Sequence, residues 1–282
     1  MARTRIRRGW RRWINVVNVG GVVIALVTAL PLYWLVVSSF KTNAEIAASP
    51  PTVLPQEWSF DNYVTAFVSN ELAVYMVNSV VVAVATTVIV LGLALFAGYA
   101  LTGGKLRGST AIMTVLLMLS VFPAIAVLTP IYLIERQLGL LNSHPGLILP
   151  YVAFNLPFAI WIMRNYLAGI PTTIEEASEI DGASPLRTMF SVILPMSKPG
   201  LFTVGVFTFT ASWSEFLLAL TINSETSFRT IPVGIALFST EFSVPFGAIF
   251  AGSVSATVPI VVLVLIFKRS IVSGLTSGAV KG

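Results

Sequence analysis

Six stretches of this chain, residues 16–40, 74–101, 110–134, 145–169, 201–220 and 246–267, are long and apolar enough to cross a bilayer. The hydrocarbon core of a membrane asks for on the order of 20 mostly apolar residues per helical span. A water-facing domain has no place for so many. Inside lipid the backbone must satisfy its own hydrogen bonds, which leaves helices or a closed barrel. Barrel strands alternate in polarity over short segments, whereas residues 80–95 and 260–267 are almost uniformly apolar. With 56% hydrophobic and only 10% charged residues, the chain reads as an all-α membrane protein of six transmembrane helices.

Orientation follows from the basic residues, because Lys and Arg near span ends stay preferentially on the cytoplasmic side. With the N-terminus inside, that side collects Arg3, Arg5, Arg7, Arg8, Arg11, Arg12, Lys105, Arg107, Arg164, Arg187, Lys198, Lys268, Arg269 and Lys281, 14 of the 17. The outer loops keep Lys41, Arg136 and Arg229 and hold seven of the 12 acids. Both termini are therefore expected in the cytoplasm. The arginine cluster ahead of the first span reads as topology and anionic lipid contact, not as a nucleic-acid surface. The first apolar run is long and has no convincing small-residue cleavage site, so it reads as a retained span and not a secretory signal. There are no cysteines, which excludes disulfides, thiol catalysis and cysteine metal sites.

No soluble domain is expected, since the longest gaps, residues 41–73 and 223–245, are too short to build one. Residues 1–282 read as a single membrane domain. The first gap carries Pro50, Pro51, Pro55, Trp58 and Tyr63, the make-up of an irregular segment with an amphipathic piece at the interface. Pro31, Pro123, Pro130, Pro150, Pro157 and Pro259 fall within spans, where each removes a backbone donor and can kink the helix.

One hydrophilic island interrupts this pattern, at residues 171–195. Thr172 with Glu175, and Thr173 with Glu176, have capping-box spacing after Pro171. Glu175, Glu176 and Glu179 fall in the first turns, where the helix dipole favours negative charge, and Ile174, Ala177 and Ile180 form an apolar stripe. Gly182 suits a helix end. Ser184 with Pro185 suits the start of a second helix. The segment reads as helix, glycine turn, helix, with Asp181 before the turn, lying on the cytoplasmic side. An amphipathic hairpin of this kind is either a docking knob for another protein or a solvated connector.

The remaining polar features carry little independent chemistry. Gly103-Gly104-Lys105-Leu106 lacks the upstream spacing and the Ser or Thr after lysine that a phosphate loop needs, so the chain is not expected to hydrolyse ATP. His144 has no partner histidines, and no metal site is expected. Glu215 is the acidic residue inside a span. It is either a pathway residue, since a charge in lipid is costly, or a hydrogen-bond partner within the bundle near Ser212 and Ser214, or a protonated acid. If it lines a pathway, Ser212, Trp213, Asn155 and Trp161 supply hydroxyl, aromatic and amide surface beside it. An ion-driven secondary transporter usually carries several intramembrane charges or inverted repeats, and a non-transport receptor would use the hairpin for signalling.

Glu176-Ala177-Ser178, three residues, Gly182, nine residues, then Val192-Ile193-Leu194-Pro195 resembles the EAA loop of ABC importer permeases. Ser178 stands for the family's second alanine and Val192 for its isoleucine. The segment from Trp58 to Phe67 with Asn62-Tyr63, the run Ser212-Trp213-Ser214-Glu215-Phe216, and the tail from Gly274 to Gly282 are similar to MalG-type permeases of carbohydrate importers. The resemblance implies a type I importer permease fold in the cell membrane. It implies four kinds of partner: a MalF-like second permease, two ATP-binding subunits, an extracytoplasmic solute-binding protein and membrane lipid. It implies no cofactor bound by this chain, with ATP and Mg used by the partner subunits. It further implies coupling to the ATPases through Glu175, Glu176, Ala177, Ser178, Glu179, Asp181, Gly182, Leu194 and Pro195. Tail contact falls to Gly274, Leu275, Thr276, Gly278, Lys281 and Gly282, and binding-protein contact to residues 223–245. The implied substrate is a sugar, with glycerol phosphate or another polar solute as the alternative. The lack of an intramembrane arginine cluster favours the neutral sugar.

Overall fold

The computed structural model describes residues 16–102, 106–239 and 244–276, with side chains described over 18–102, 106–239 and 244–268. Among the described residues every regular element is helical. In chain order they are α1 (Val16–Ser39), α2 (Asn43–Ile46), α3 (Asp61–Val64), α4 (Leu72–Ala100), α5 (Ser109–Ser120), α6 (Ala124–Leu138) and α7 (His144–Leu167). There follow α8 (Thr172–Ile180), α9 (Pro185–Thr188), α10 (Leu194–Met196), α11 (Lys198–Trp213), α12 (Leu217–Ile222), α13 (Ile231–Ala236) and α14 (Phe246–Thr276). Four of them, α1, α4, α7 and α14, are long and apolar enough to cross a membrane unaided.

Two of the six expected spans are broken. Residues 110–134 fall on α5 and α6, which meet at 89°. Pro123, extended at ψ 123, caps the second of these helices; proline offers no N–H to continue α5 and disfavours the helical region for the residue before it. Residues 201–220 are likewise discontinuous. The helix starts earlier, at Lys198, follows a 75° bend from the segment Pro185–Met196, and stops at Trp213 before α12 resumes at Leu217. Counting each bent pair as one span gives up to six.

The chain forms two compact units, residues 1–69 with 238–254, and residues 70–237 with 255–282. In the first, α1 exposes Ile24, Leu26, Val27 and Leu30, an apolar exterior suited to lipid and not to water. Beyond its end, Phe40 packs against Trp58, Phe60 and Tyr63 with ring centroids 5.2–5.6 Å apart. The buried Asn62 donates to the carbonyls of Ser39 (3.0 Å) and Lys41 (2.7 Å), which closes the chain back on α1. Lys41 is also buried, its ammonium 4.5 Å from the Trp34 ring centroid and bonded to the Thr52 carbonyl. The stretch read as irregular thus contains the short helices α2 and α3 on a packed aromatic cluster.

The second unit is built on α4, α7 and α11. Gly98 lets α4 press on α7, since a Cβ there would lie 2.9 Å from that of Met163. Gly200 takes the Tyr166 ring in the same way, at 2.7 Å. Around these contacts Val90, Ala94, Leu95, Met163, Leu167, Met189, Ile193 and Val204 form one core. A second, toward the other end of α7, joins Val82, Leu147, Tyr151, Leu218, Ala219, Ile222 and Val233.

Candidate functional site

The hydrophilic island folds as a hairpin. α8 runs from Thr172 to Ile180, Gly182 turns the chain at φ +75°, and α9 begins at Pro185 with the Ser184 hydroxyl accepting from the Arg187 N–H. The turn is closed by Gly182 N–H to the Glu179 carbonyl (2.9 Å) and Ala183 N–H to the Ser178 carbonyl (3.0 Å). That pairing satisfies the carbonyls a helix end leaves open, and a left-handed residue is what it needs.

One local expectation needs correction. Neither threonine makes the expected capping box, because Pro171 is the cap residue, without a side-chain bond, and both threonines already lie inside the helix. Of the apolar stripe, Ile180 is 86% exposed, while the residue that α8 buries is Ser178. The Ser178 and Thr188 hydroxyls lie 2.8 Å apart, both buried, which ties α8 to α9 across the turn. Ser178 is where the chain departs from the alanine of the family pattern, so the departure comes with a built partner.

The hairpin is anchored to α4 by a residue that sequence reading missed: the Tyr99 hydroxyl, near the end of α4, donates to Glu175 Oε2 (3.3 Å). Beside it the spans are tied to one another, Arg164 Nε near the end of α7 donating to the Leu101 carbonyl (3.1 Å), and Tyr166 packing on Gly200 and donating to the Met196 carbonyl (3.4 Å). After α9 the backbone widens into π-type turns over Met189–Ile193, with Met189 and Ile193 in the core. Leu194 is half-buried and Pro195 exposed. Glu176, Ala177, Glu179, Asp181 and Gly182 are all exposed, so the hairpin presents one acidic and apolar face while the opposite face is held by Ser178 and Glu175.

Glu215 sits in the break between α11 and α12. Its carboxylate accepts from the Leu218 N–H (2.9 Å), the Ala219 N–H (3.1 Å) and the Tyr151 hydroxyl (2.6 Å). These are the open donors of a new helix start, met by an acidic side chain at the positive end of the dipole. Trp213 is 2% exposed, stacked on Phe209, and donates from Nε1 to the Ala256 carbonyl (3.0 Å). Asn155 and Trp161 lie elsewhere. Asn155 borders a cleft between α7 and α11, and Trp161 stacks on Phe158 at its edge. The sequence-chosen residues therefore separate: Glu215 caps α12, Trp213 bonds to the Ala256 carbonyl, Ser212 is buried at 5% exposure with its hydroxyl unpartnered, and Asn155 and Trp161 lie at the cleft.

His144 finds partners that its sequence did not suggest: Nε2 lies 2.9 Å from Asn78 Oδ1 and the ring meets Phe228 edge-on. Asn78 also donates to the carbonyls of Ser227 (2.8 Å) and Arg229 (3.0 Å). Within residues 223–245, a 3-10 turn at Thr226–Phe228 and α13 are held this way against α4. Among the described residues no group of acids and histidines forms a metal site. Gly274, Leu275 and Thr276 end α14 with only their backbone described, and Gly278, Lys281 and Gly282 lie outside the described residues.

The family model for the binding-protein-dependent transport system inner membrane component matches residues 90–275, a range that takes in the hairpin, the Glu215 break and the cleft. The chain belongs to this family. The inner membrane component is 38% identical over 260 residues to the sulfoquinovosyl glycerol transport system permease protein SmoH of Agrobacterium fabrum, covering 92% of this chain and 91% of that one. It is 39% identical over 255 residues to the trehalose transport system permease protein SugB of Mycobacterium tuberculosis, covering 90% and 92%. It is 35% identical over 267 residues to the trehalose/maltose transport system permease protein MalG of Thermococcus litoralis, covering 94% and 95%. In three dimensions the crystal structure of a bacterial ABC transporter involved in import of the acidic polysaccharide alginate matches with a TM-score of 0.79 over 92% of this chain and 96% of that chain. At 22% identity that likeness speaks for the fold.

Proposed function

We propose that this inner membrane component is a permease subunit of an ATP-driven importer, forming half of the pathway for a sugar delivered by an extracytoplasmic solute-binding protein. The relatives named for trehalose, maltose and sulfoquinovosyl glycerol transport support the sugar class. The observation that carries the reading is the hairpin: a short acidic helix, a glycine turn at positive φ, and an outward face holding Glu176, Ala177, Glu179 and Ile180. It is exposed where a partner would dock and anchored where force would have to be passed on.

In this reading two ATP-binding subunits seat on the hairpin, hydrolyse ATP with Mg, and move α8 as a lever. A second permease completes the pathway, and the two halves swing between inward and outward openings. Glu175, held by Tyr99, and Ser178, held by Thr188, transmit the motion to α4 and to the segment leading into α11. Leu194 and Pro195 form the heel of the lever ahead of the 75° bend. Both termini are cytoplasmic, the tail from Gly274 to Gly282 contacts the ATP-binding pair, and residues 223–245 face the binding protein.

The test is substrate-stimulated ATP hydrolysis by the reconstituted complex with its partner subunits, comparing wild type with Gly182→Pro and with a chain lacking the last nine residues. Proline fixes φ near −65°, which the turn at +75° does not tolerate. Loss of stimulation with the complex still assembled is the expected result. Unchanged stimulation and uptake in Gly182→Pro would remove the hairpin from the mechanism.

A further inference from the structure

The chain enters the hairpin from α7 and leaves it into α11, and one contact closes the base. Tyr166 is the last residue but one of α7 and Gly200 the third of α11, so the whole hairpin lies between them in sequence. A Cβ built on the buried Gly200 would lie 2.7 Å from Tyr166 Cγ, 3.0 Å from Cδ1 and 3.1 Å from Cβ. These atoms are the root of the side chain, which cannot swing aside as a flexible tip would. Small residues in membrane bundles mark where a neighbouring helix comes close. Here what fills the notch is an aromatic ring.

The notch sits at the 75° bend between the segment Pro185–Met196 and α11. Pro195 and Pro199 bracket that bend, and neither has an N–H to carry a helix through it. The break itself falls at Ser197 (φ −84°, ψ 0°), which is fully buried. Its hydroxyl donates to the Leu194 carbonyl (3.0 Å) and its N–H to the Ile193 carbonyl (2.8 Å). Tyr166 touches both sides of the bend: the ring packs on Gly200 on the α11 side, and the hydroxyl donates to the Met196 carbonyl (3.4 Å) on the hairpin side. Leu167, Ile193 and Val204 share one core beneath it, so the angle is backed by close-packed side chains, which pass strain on instead of absorbing it.

A hairpin whose two ends were independent would flex at Ser197 when pushed, and the spans would part or stay where they are. With the end of α7 seated in the notch of α11, a push on α8 cannot change the bend without lifting the ring out. We infer that Tyr166 is a positioning residue for coupling: its ring in the Gly200 notch is the fulcrum that makes α7 and α11 turn as one when the hairpin moves. The inference rests on the importer reading. It adds the point at which motion leaves the hairpin for the spans, which the contacts of Glu175 with Tyr99 and of Ser178 with Thr188 do not supply.

The experiment uses the complete complex in proteoliposomes at saturating binding protein, with trehalose and maltose as probes. The readout is sugar taken up per ATP hydrolysed, a ratio from which the amount of surviving complex cancels. Gly200→Ala puts a methyl where the ring sits and should cut the ratio by about fivefold, the scale on which forcing a methyl into a close-packed contact shifts an equilibrium, while stimulated hydrolysis stays near wild type. Tyr166→Ala empties the notch and should do the same. Tyr166→Phe keeps the ring and should couple like wild type. Pairing Gly200→Ala with Tyr166→Ala takes the clash away, so the double variant should couple better than Gly200→Ala alone. A normal ratio in Tyr166→Ala overturns the fulcrum and leaves the importer reading standing, whether or not Gly200→Ala assembles. Additive losses in the pair overturn it too, since the two sites would then act apart. Failure of Tyr166→Ala to assemble, or loss of its stimulated hydrolysis, also overturns it, because the ring would then serve the fold or the docking and not the lever. A wild-type complex that takes up neither sugar and is stimulated by neither removes the importer reading for these sugars, and the fulcrum with it.

Discussion

Gly182 and Glu215 show how much of this molecule rests on single residues doing backbone work. At Gly182 the conformation, not the space, is restrictive: φ is +75°, yet nothing lies within 4 Å of a Cβ built there. A left-handed conformation costs an ordinary L-residue about 1–2 kcal/mol, and asparagine less. The series Gly182→Asn, Gly182→Ala, Gly182→Pro should therefore lower stimulated ATP hydrolysis in that order, with asparagine near wild type. A flat series would mean the turn bears no load. Glu215 is an acidic residue within a span that serves the helix starting after it, through the N–H groups of Leu218 and Ala219 and the hydroxyl of Tyr151. Losing a helix cap costs about 1–2 kcal/mol, which for a chain of this length is a fall in Tm of a few degrees. Glu215→Ala should show that fall, and Glu215→Gln, which keeps acceptor oxygen, about half of it. If Tm holds and uptake collapses in both, Glu215 acts on the substrate and the capping role is secondary.

Among the elements, the α8–α9 hairpin is the one whose rigidity has an identifiable source. The buried Ser178 and Thr188 hydroxyls satisfy each other at 2.8 Å. Removing one partner strands the other, at about 1–3 kcal/mol, whereas replacing both by apolar groups of similar shape is close to neutral. Ser178→Ala and Thr188→Val should each lower Tm and uncouple hydrolysis from uptake. The double variant should recover most of both, and additive losses in the cycle would show that the two hydroxyls act apart. The hairpin was legible in sequence because its signals are local: Pro171, Gly182, Ser184 and Pro185 mark its ends within a few residues of where the helices start and stop. The broken spans were legible only in part. Hydropathy sums a stretch without regard to direction, so residues 110–134 and 201–220 read as continuous; Pro123 marked a kink candidate in the first, whereas the polar run Ser212 to Glu215 was not read as a break in the second. Long-range anchors left no trace at all. Tyr99 reaches Glu175 and Tyr151 reaches Glu215 across 76 and 64 positions of sequence, and a single chain gives no reason to pair them.

At the scale of the whole molecule the open question is which parts face which side, and the chain supplies its own means of asking. It has no cysteine, so any single cysteine introduced is the only thiol present. Ile180 is 86% exposed on the hairpin, and an isoleucine so displayed, on a helix whose buried residue is Ser178, suits a covering partner better than water. Ser227 is exposed in the turn held against α4 by Asn78. The charge asymmetry of the sequence assigns the first to the cytoplasm and the second to the outer face. Ile180→Cys should react with a membrane-impermeant maleimide in inside-out vesicles and not in right-side-out ones, and Ser227→Cys the reverse. Co-assembly with the ATP-binding subunits should then protect Ile180→Cys and leave Ser227→Cys as reactive as before. Labelling of both positions from the same side would overturn the topology. Opposite-side labelling without protection would keep the topology and move the ATPase contact off the α8 face, because a docked partner cannot leave that thiol open to the reagent.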